Sequence, residues 1–511
     1  MNDLISLVKL ISQQKIEQID LFNSKVELPY KTRKLYEGIV QGSITNETDG
    51  IIKIYNDPSQ KQNFNKLQSR LKKRLLNTLF FLDSTKTSHS ELAKAKYTVA
   101  KHVHLVRILS EQNEKQNAIS LAKKTLAKAK KYELTEYSLD LSRYLFKHYS
   151  LLSPNKSKRE KINKQIIELE KIQGAEILAE RYYNETSFLY LTKKTKFSQE
   201  HLLKMKKYCE TLSQLQSKFT SYSFNLNVYN IITSYYILNE EYELSIKYCS
   251  EALNFFESKP YQDNMSKWSF RNSLILSSIG QRKYKLAEEY TQANFEILTP
   301  SSYNWYMQCN YHYILLASQG KFQELYSLII RVVKSKNYKK FILQHEYWNV
   351  IEAYIHFLIR MDKIDPTLET SGRKLRSFSL ARFLNDVPKF SKDKRGLNIS
   401  IIVVQFLYLL QARKYSKLID RLDAIKQYSY RYLKNNETYR SNLFIKMLLK
   451  VANADFHPIA AERYTKDMHT KLLASNPSAN FQSTEIEVIP YEKLWEIVME
   501  LLERNKSKTT T

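Results

Sequence analysis

Glycine is nearly missing from this chain: 8 of 511 residues, where an average protein carries roughly 7%. Glycine supplies positive-φ turns, close backbone approach and the loops that cradle phosphates. Its scarcity predicts few tight turns, and it argues against glycine-loop nucleotide sites; neither a GxxxxGKS/T nor a GxGxxG run occurs. Proline is also scarce, at 10 residues. Neither shortage hinders helices, so a long helical series is expected. Cysteine is limited to Cys209, Cys249 and Cys309. This odd, widely spaced set is neither a disulfide framework nor a zinc pattern, and it suits a reducing compartment. HExxH, CxxC, EF-hand loops and Gly-x-Ser-x-Gly elbows are lacking too. No catalytic residue, cofactor or metal is therefore assigned, and a non-enzymatic role is expected.

Acids are short as well: 52 Asp+Glu against 80 Lys+Arg, a formal charge of +28. Such a field attracts nucleic acid, anionic lipid or acidic protein. The alternative is a solvated lysine surface, part of it codon-bias background. Long apolar runs are missing. Ile399–Leu410 is the most apolar stretch and contains Ser400 and Gln405, well below the roughly 20 residues of a membrane span. The first residues, MNDLISLVKL, lack a basic signal-peptide start. A cytoplasmic protein with no membrane span is expected.

What is present is 43% apolar residues and 37 tyrosines, enough to build a core. At helical spacing, Leu4, Leu7, Val8, Ile11 and Ile19 mark a helix over 3–22. Gly38, Gly42, Gly50 and Pro58 make 38–60 loop-like. Leu67, Leu71, Leu75 and Leu79 stripe a helix at 61–82, and further helices are read at 91–112, 116–131, 134–150 and 160–190. Four segments then share one layout, an aromatic followed by small or apolar residues every three or four positions. They begin at Tyr242, Tyr284, Phe322 and Tyr415, the first three spaced by 42 and 38 residues. Gly280 and Gly320 precede two of them.

EEYELSIKYCSEALNFF, with Tyr242, Ile246, Ala252 and Leu253 at the motif positions, resembles the tetratricopeptide (TPR) repeat. Ser245 and Cys249 depart from the motif, and the spacings exceed 34. The likeness covers roughly 220–335 and weakens elsewhere. It implies an all-α chain: an α-solenoid of stacked antiparallel helix pairs in a TPR-like right-handed superhelix, each pair covering the apolar side its neighbour leaves bare. The chain also looks similar to bacterial cytoplasmic helical-repeat proteins, a likeness that carries no function. Five regions follow: 1–60 helical with a loop, 61–370 repeats, 371–398 a basic connector, 399–455 further repeat pairs, and 456–511 a linker with an acidic C-terminal helix.

The connector holds eight Lys/Arg and two Asp; a helix is read at Leu375–Leu384, then a loop. The end of the chain reverses sign: Glu485–Glu503 has six acids and one base. Leu494, Trp495, Val498, Leu501 and Leu502 would form its apolar face, either capping the repeats or masking a partner site.

Two binding readings remain. One is a scaffold or regulatory protein whose solenoid surface takes a protein or peptide through Tyr235, Trp268, Tyr303 and Tyr306, with Lys389, Lys392, Lys394 and Arg395 on the basic loop. Tyr and Trp give contact area with few torsions to freeze. The other is RNA or DNA held by Lys66, Arg70, Lys73, Arg74, Lys124, Lys128, Lys131, Arg373, Lys374 and Arg376. Both compete with plain packing and solvated faces.

Overall fold

The computed structural model describes residues 1, 4, 5, 8, 29–78, 90–192, 199–261, 263–368, 375–386, 397–432, 439–475 and 487–507. Every regular element among them is helical. The chain divides into two compact units, Met1–Gln173 with Pro260–Asp263, and Gly174–Lys259 with Asn264–Thr511.

The first unit begins with α1 (Tyr30–Val40), α2 (Glu47–Tyr55) and α3 (Lys61–Thr78). The supposed loop at 38–60 thus contains a helix, for a local reason. The Asn46 side chain caps α2 by accepting from Asp49 N at 2.9 Å, as an N-cap must. Gly50 in that helix lies where a Cβ would meet the Phe64 ring at 2.2 Å. Phe64, Leu67, Leu71 and Leu75 of α3 close this small core against Leu35 and Ile39. The helix read at 3–22 falls largely outside the described residues.

A second core in this unit joins α4 (Glu91–Glu111), α5 (Lys115–Lys131) and α6 (Thr135–Lys147). Ala118, Ala122 and Ala129 are fully buried along α5. Such small side chains let neighbouring helices approach closely. The long helix α7 (Lys156–Thr192) runs from this unit into the next.

The second unit continues with α8 (Gln199–Gln216), α9 (Tyr222–Leu238), α10 (Tyr242–Glu257), α11 (Asn264–Gly280), α12 (Tyr284–Ile297), α13 (Tyr303–Gln319) and α14 (Phe322–Val333). Each packs on the next in sequence, and α9 with α11 and α11 with α13 also touch. Next come α15 (Ile342–Arg360), the short α16 (Leu380–Asp386), α17 (Leu397–Gln411), α18 (Tyr415–Tyr432), α19 (Tyr439–Asn453), α20 (Pro458–Ala474) and α21 (Tyr491–Ser507). All four aromatics that opened the repeated layout, Tyr242, Tyr284, Phe322 and Tyr415, are first residues of helices.

The turns before those helices overturn the expectation drawn from glycine. Tight turns are frequent, and mostly built without it. Ten non-glycine residues among those described have positive φ, against Gly42 and Gly320. Asn113, Glu133, Glu240, Arg282 and Arg413 all sit one residue past a helix C-cap, at φ between 51 and 64°. The following N–H reaches back to a helix carbonyl: Glu114 to Leu109 at 2.8 Å, Glu241 to Tyr236 at 2.9 Å, Lys283 to Ser278 at 2.8 Å, Lys414 to Leu409 at 3.0 Å. This is the Schellman C-cap, which favours glycine. Gly280 is not the left-handed residue of its turn; Arg282 is. Gly280 is small for another reason, because a Cβ there would lie 2.6 Å from the Tyr242 ring.

The connector is anchored in its middle. Ser379 Oγ accepts from Arg382 N at 3.4 Å, so α16 starts later than the pattern predicts. Before it, Phe378 stacks on His356 at 5.2 Å and on Tyr408 at 5.1 Å.

Candidate functional site

Helices α7, α9, α11 and α13 line a groove of about 300 Å³ within the second unit. Helical spacing brings its side chains together. From α7 come Tyr183, Thr186 and Ser187, three and four residues apart. From α9 come Asn230, Ser234, Ile237 and Leu238. From α11 come Trp268, Ser269, Asn272, Ser273 and Leu276, while α13 adds Tyr311. Residues three and four apart share a helix face, so each helix presents one short stripe.

None of these lining residues carries a charge, in a chain with a formal +28. Their polar groups are fixed by a network. Trp268 Nε1 donates to Gln308 Oε1 at 3.2 Å, and Asn294 Nδ2 donates to the same oxygen at 3.0 Å. Asn294 Nδ2 also reaches Asn272 Oδ1 at 3.0 Å. On the α9 side, Ser269 Oγ donates to Asn230 Oδ1 at 3.1 Å, while Asn230 Nδ2 donates to Leu226 O at 2.8 Å. The Thr186 hydroxyl is buried and has no hydrogen-bond partner. Burial pushes the Tyr311 hydroxyl up to about 12, with the neighbouring Tyr183 adding to the shift. The Tyr311 phenol is therefore a neutral hydrogen-bonding group at physiological pH.

The residues singled out from the sequence fall in several places. Trp268 is in this groove, half-buried. Tyr235 lies on α9 outside the groove's lining, its ring 5.3 Å from Tyr236. Tyr303 is 49% exposed, edge-on to Phe341 at 5.4 Å. Tyr306 is wholly enclosed, its hydroxyl 2.5 Å from Ser335 Oγ; it supports the fold and presents no surface to a partner. Lys389, Lys392, Lys394, Arg395, Arg373 and Lys374 lie outside the described residues. Arg376 is exposed in the stretch before α16.

Lys66, Arg70, Lys73 and Arg74 are exposed on α3, and Lys124 and Lys131 on α5, with Lys128 half-buried. The two rows belong to separate cores of the first unit. Around α5 one convergence does occur. Burial first, then Lys128, Lys101 and Lys124, lower the pKa of His102. The three ammonium groups thus act together on one imidazole, whose Nδ1 lies 3.3 Å from Thr125 Oγ1.

The cysteines carry no reactive signature. Burial raises the thiols of Cys209 and Cys249 to about 12 and lifts that of Cys309 as well. Among the described residues, no group of three or more His, Cys, Asp or Glu side chains is placed to hold a metal ion. No helix there is long and apolar enough to cross a membrane.

The sequence pointed to aromatics and missed Thr186, Asn230 and Asn272. No single-helix pattern marks them, because they sit on three different helices and become neighbours only where those helices meet. Comparison with known proteins finds no matching family model, no similar curated protein and no similar solved structure.

Proposed function

We propose that the chain is a TPR-like helical-repeat scaffold, an α-solenoid whose surface binds a protein or peptide partner. One observation carries this reading. The first helices of successive pairs, α9, α11 and α13, touch one another as well as their own partners, and the same Schellman turn closes pair after pair. Stacking of that kind lays side chains from consecutive first helices along one continuous face, the geometry repeat proteins use for extended ligands. Half-exposed Tyr303 and partly buried Tyr235 supply aromatic contact area from two of those helices. Selection from a displayed random-peptide library tests it. Enriched sequences should share a motif, and their affinity should fall about tenfold or more in Tyr303→Ala and Tyr235→Ala. Peptides that fail to enrich, or that ignore both substitutions, would refute the scaffold reading.

The three lysines converging on His102 favour a second reading, nucleic-acid binding by the first unit. Its signature is salt dependence, because each neutralised phosphate releases counterions. Single-stranded RNA should bind at about 50 mM salt and weaken steeply by about 200 mM, with a shallower slope in Lys124→Ala/Lys128→Ala. Binding that is absent, or flat with salt, would exclude it.

A further inference from the structure

The groove between α7, α9, α11 and α13 has a chemistry that the scaffold reading does not use. Its lining combines hydroxyls of serine, threonine and tyrosine, two carboxamides, one indole and the aliphatic side chains of Ile237, Leu238 and Leu276, with no charged group. A charged ligand there would lose hydration without a compensating opposite charge, which is costly. A plain hydrocarbon would strand the polar groups. What matches is a ligand dense in groups that both donate and accept, with an apolar face for a ring to cover. Hydroxyls and carboxamides have that dual capacity.

The polar groups are also prepared for a ligand. The bond to Gln308 fixes the edge of the Trp268 indole, and the half-buried ring, packed against the core on one side, also lines the groove. Asn272 takes its hydrogen bond through Oδ1, so its Nδ2 remains a donor at the groove wall. The Thr186 residue is only 5% exposed, yet its hydroxyl is unsatisfied. Buried polar groups are nearly always hydrogen-bonded, and an exception calls for an explanation. A volume of about 300 Å³ lies at the small end of ligand sites, roughly 300–1,000 Å³.

We infer that this groove binds a neutral polyhydroxyl ligand, a saccharide of one or two rings stacked on Trp268 and hydrogen-bonded by Asn272, Asn230 and Thr186. The inference does not depend on the protein or peptide partner proposed above.

Saturation-transfer NMR and calorimetry on the full chain test it. The probes are glucose, N-acetylglucosamine, maltose and trehalose, with glucuronate and glucose 6-phosphate as charged counterparts. At least one neutral sugar should bind saturably, and its charged counterpart about tenfold more weakly or not at all. Trp268→Ala and Asn272→Ala should each reduce affinity about tenfold. Ser234→Phe, which fills the groove from a lining residue that makes none of the network's hydrogen bonds, should abolish binding while thermal unfolding shows the chain intact. No binding by any neutral sugar overturns the inference. So does binding that survives Ser234→Phe, or that is equal for the charged sugars. A groove that takes only the peptides selected above, in competition with Ser234→Phe, would make it part of the partner surface and refute the saccharide site.

Discussion

At the scale of single residues, the shortage of glycine is a source of strain. Arg282 is exposed and holds φ 59° so that Lys283 N can bond Ser278 O. A side chain in the left-handed region crowds its own carbonyl, by roughly 1–2 kcal/mol. Glycine escapes that crowding but loses more freedom on folding. Arg282→Gly should therefore stabilise the protein by about 0.5–1 kcal/mol, seen as a higher urea midpoint with an unchanged slope; a lower midpoint would contradict the assignment. His312 gives a second residue-scale outcome. Burial, followed by Arg331, lowers its pKa to about 4, and its Nδ1 is buried without a partner. The folded state thus refuses a proton that the unfolded chain accepts below about 6.5. The stability this group protects is complete above pH 6.5 and falls as pH drops toward 4. At pH 5 the loss is about 2 kcal/mol. Urea unfolding of wild type and His312→Gln at pH 7.5 and pH 5 should show a smaller acid loss in the variant. Equal losses would mean that the imidazole is protonated in the fold.

At the scale of elements, the sequence announced helices well and their surroundings poorly. The stripe read at 91–112 is the helix Glu91–Glu111, and the acidic C-terminal helix is there as Tyr491–Ser507. Periodicity reports a helix because one face must be apolar. It says nothing about a helix buried on several sides. Besides the predicted face, Tyr491, Ile497 and Asn505 of α21 are buried, against α17, α19 and α20. Asn505 Nδ2 donates to Leu410 O at 3.0 Å, and Tyr313 donates its hydroxyl to the Val488 carbonyl. The strongest anchor is Arg440, which bonds Glu487 at 2.7 Å and Glu492 at 2.5 Å. It also donates to Leu472 O at 3.0 Å. Breaking one partner of a buried ion cluster leaves unpaired charge, at about 3–5 kcal/mol. Arg440→Met should cost about 3 kcal/mol, and adding Glu487→Gln and Glu492→Gln should recover much of it. If Arg440→Met unfolds at the wild-type urea midpoint, α21 is not held by this cluster. Its burial makes α21 part of the core of the second unit.

At the scale of the whole molecule, apolar residues announced helix pairs, while the groove depended on polar ones. Asn230, Ser269 and Asn272 are ordinary helix-surface residues until four helices bring them together, and single-helix periodicity cannot show that. Nor did composition show how unevenly the core is shared. In the second unit a large connected cluster runs from Tyr242 to Leu502 and is closed by α21, beside two smaller ones around Phe224 and Phe256. The first unit is held by two smaller, separate clusters, one around Phe64 and Leu71 and one around Val99, Leu126 and Leu141. Helices open together only as far as packed interfaces connect them, so cooperativity follows the continuity of the core. Two-state unfolding is therefore not expected for this chain. Urea should open the first unit at lower concentration and leave the Tyr242–Leu502 cluster folded until a second, steeper transition. Hydrogen exchange should report the same order, with amides of α13, α15 and α19 protected longer than those of α1 and α2. A single transition seen alike by circular dichroism, tryptophan fluorescence and exchange would show the whole chain to be one cooperative unit. All four tryptophans lie in the second unit, at 268, 305, 348 and 495. Fluorescence should thus lag behind the loss of helix if the units unfold in turn.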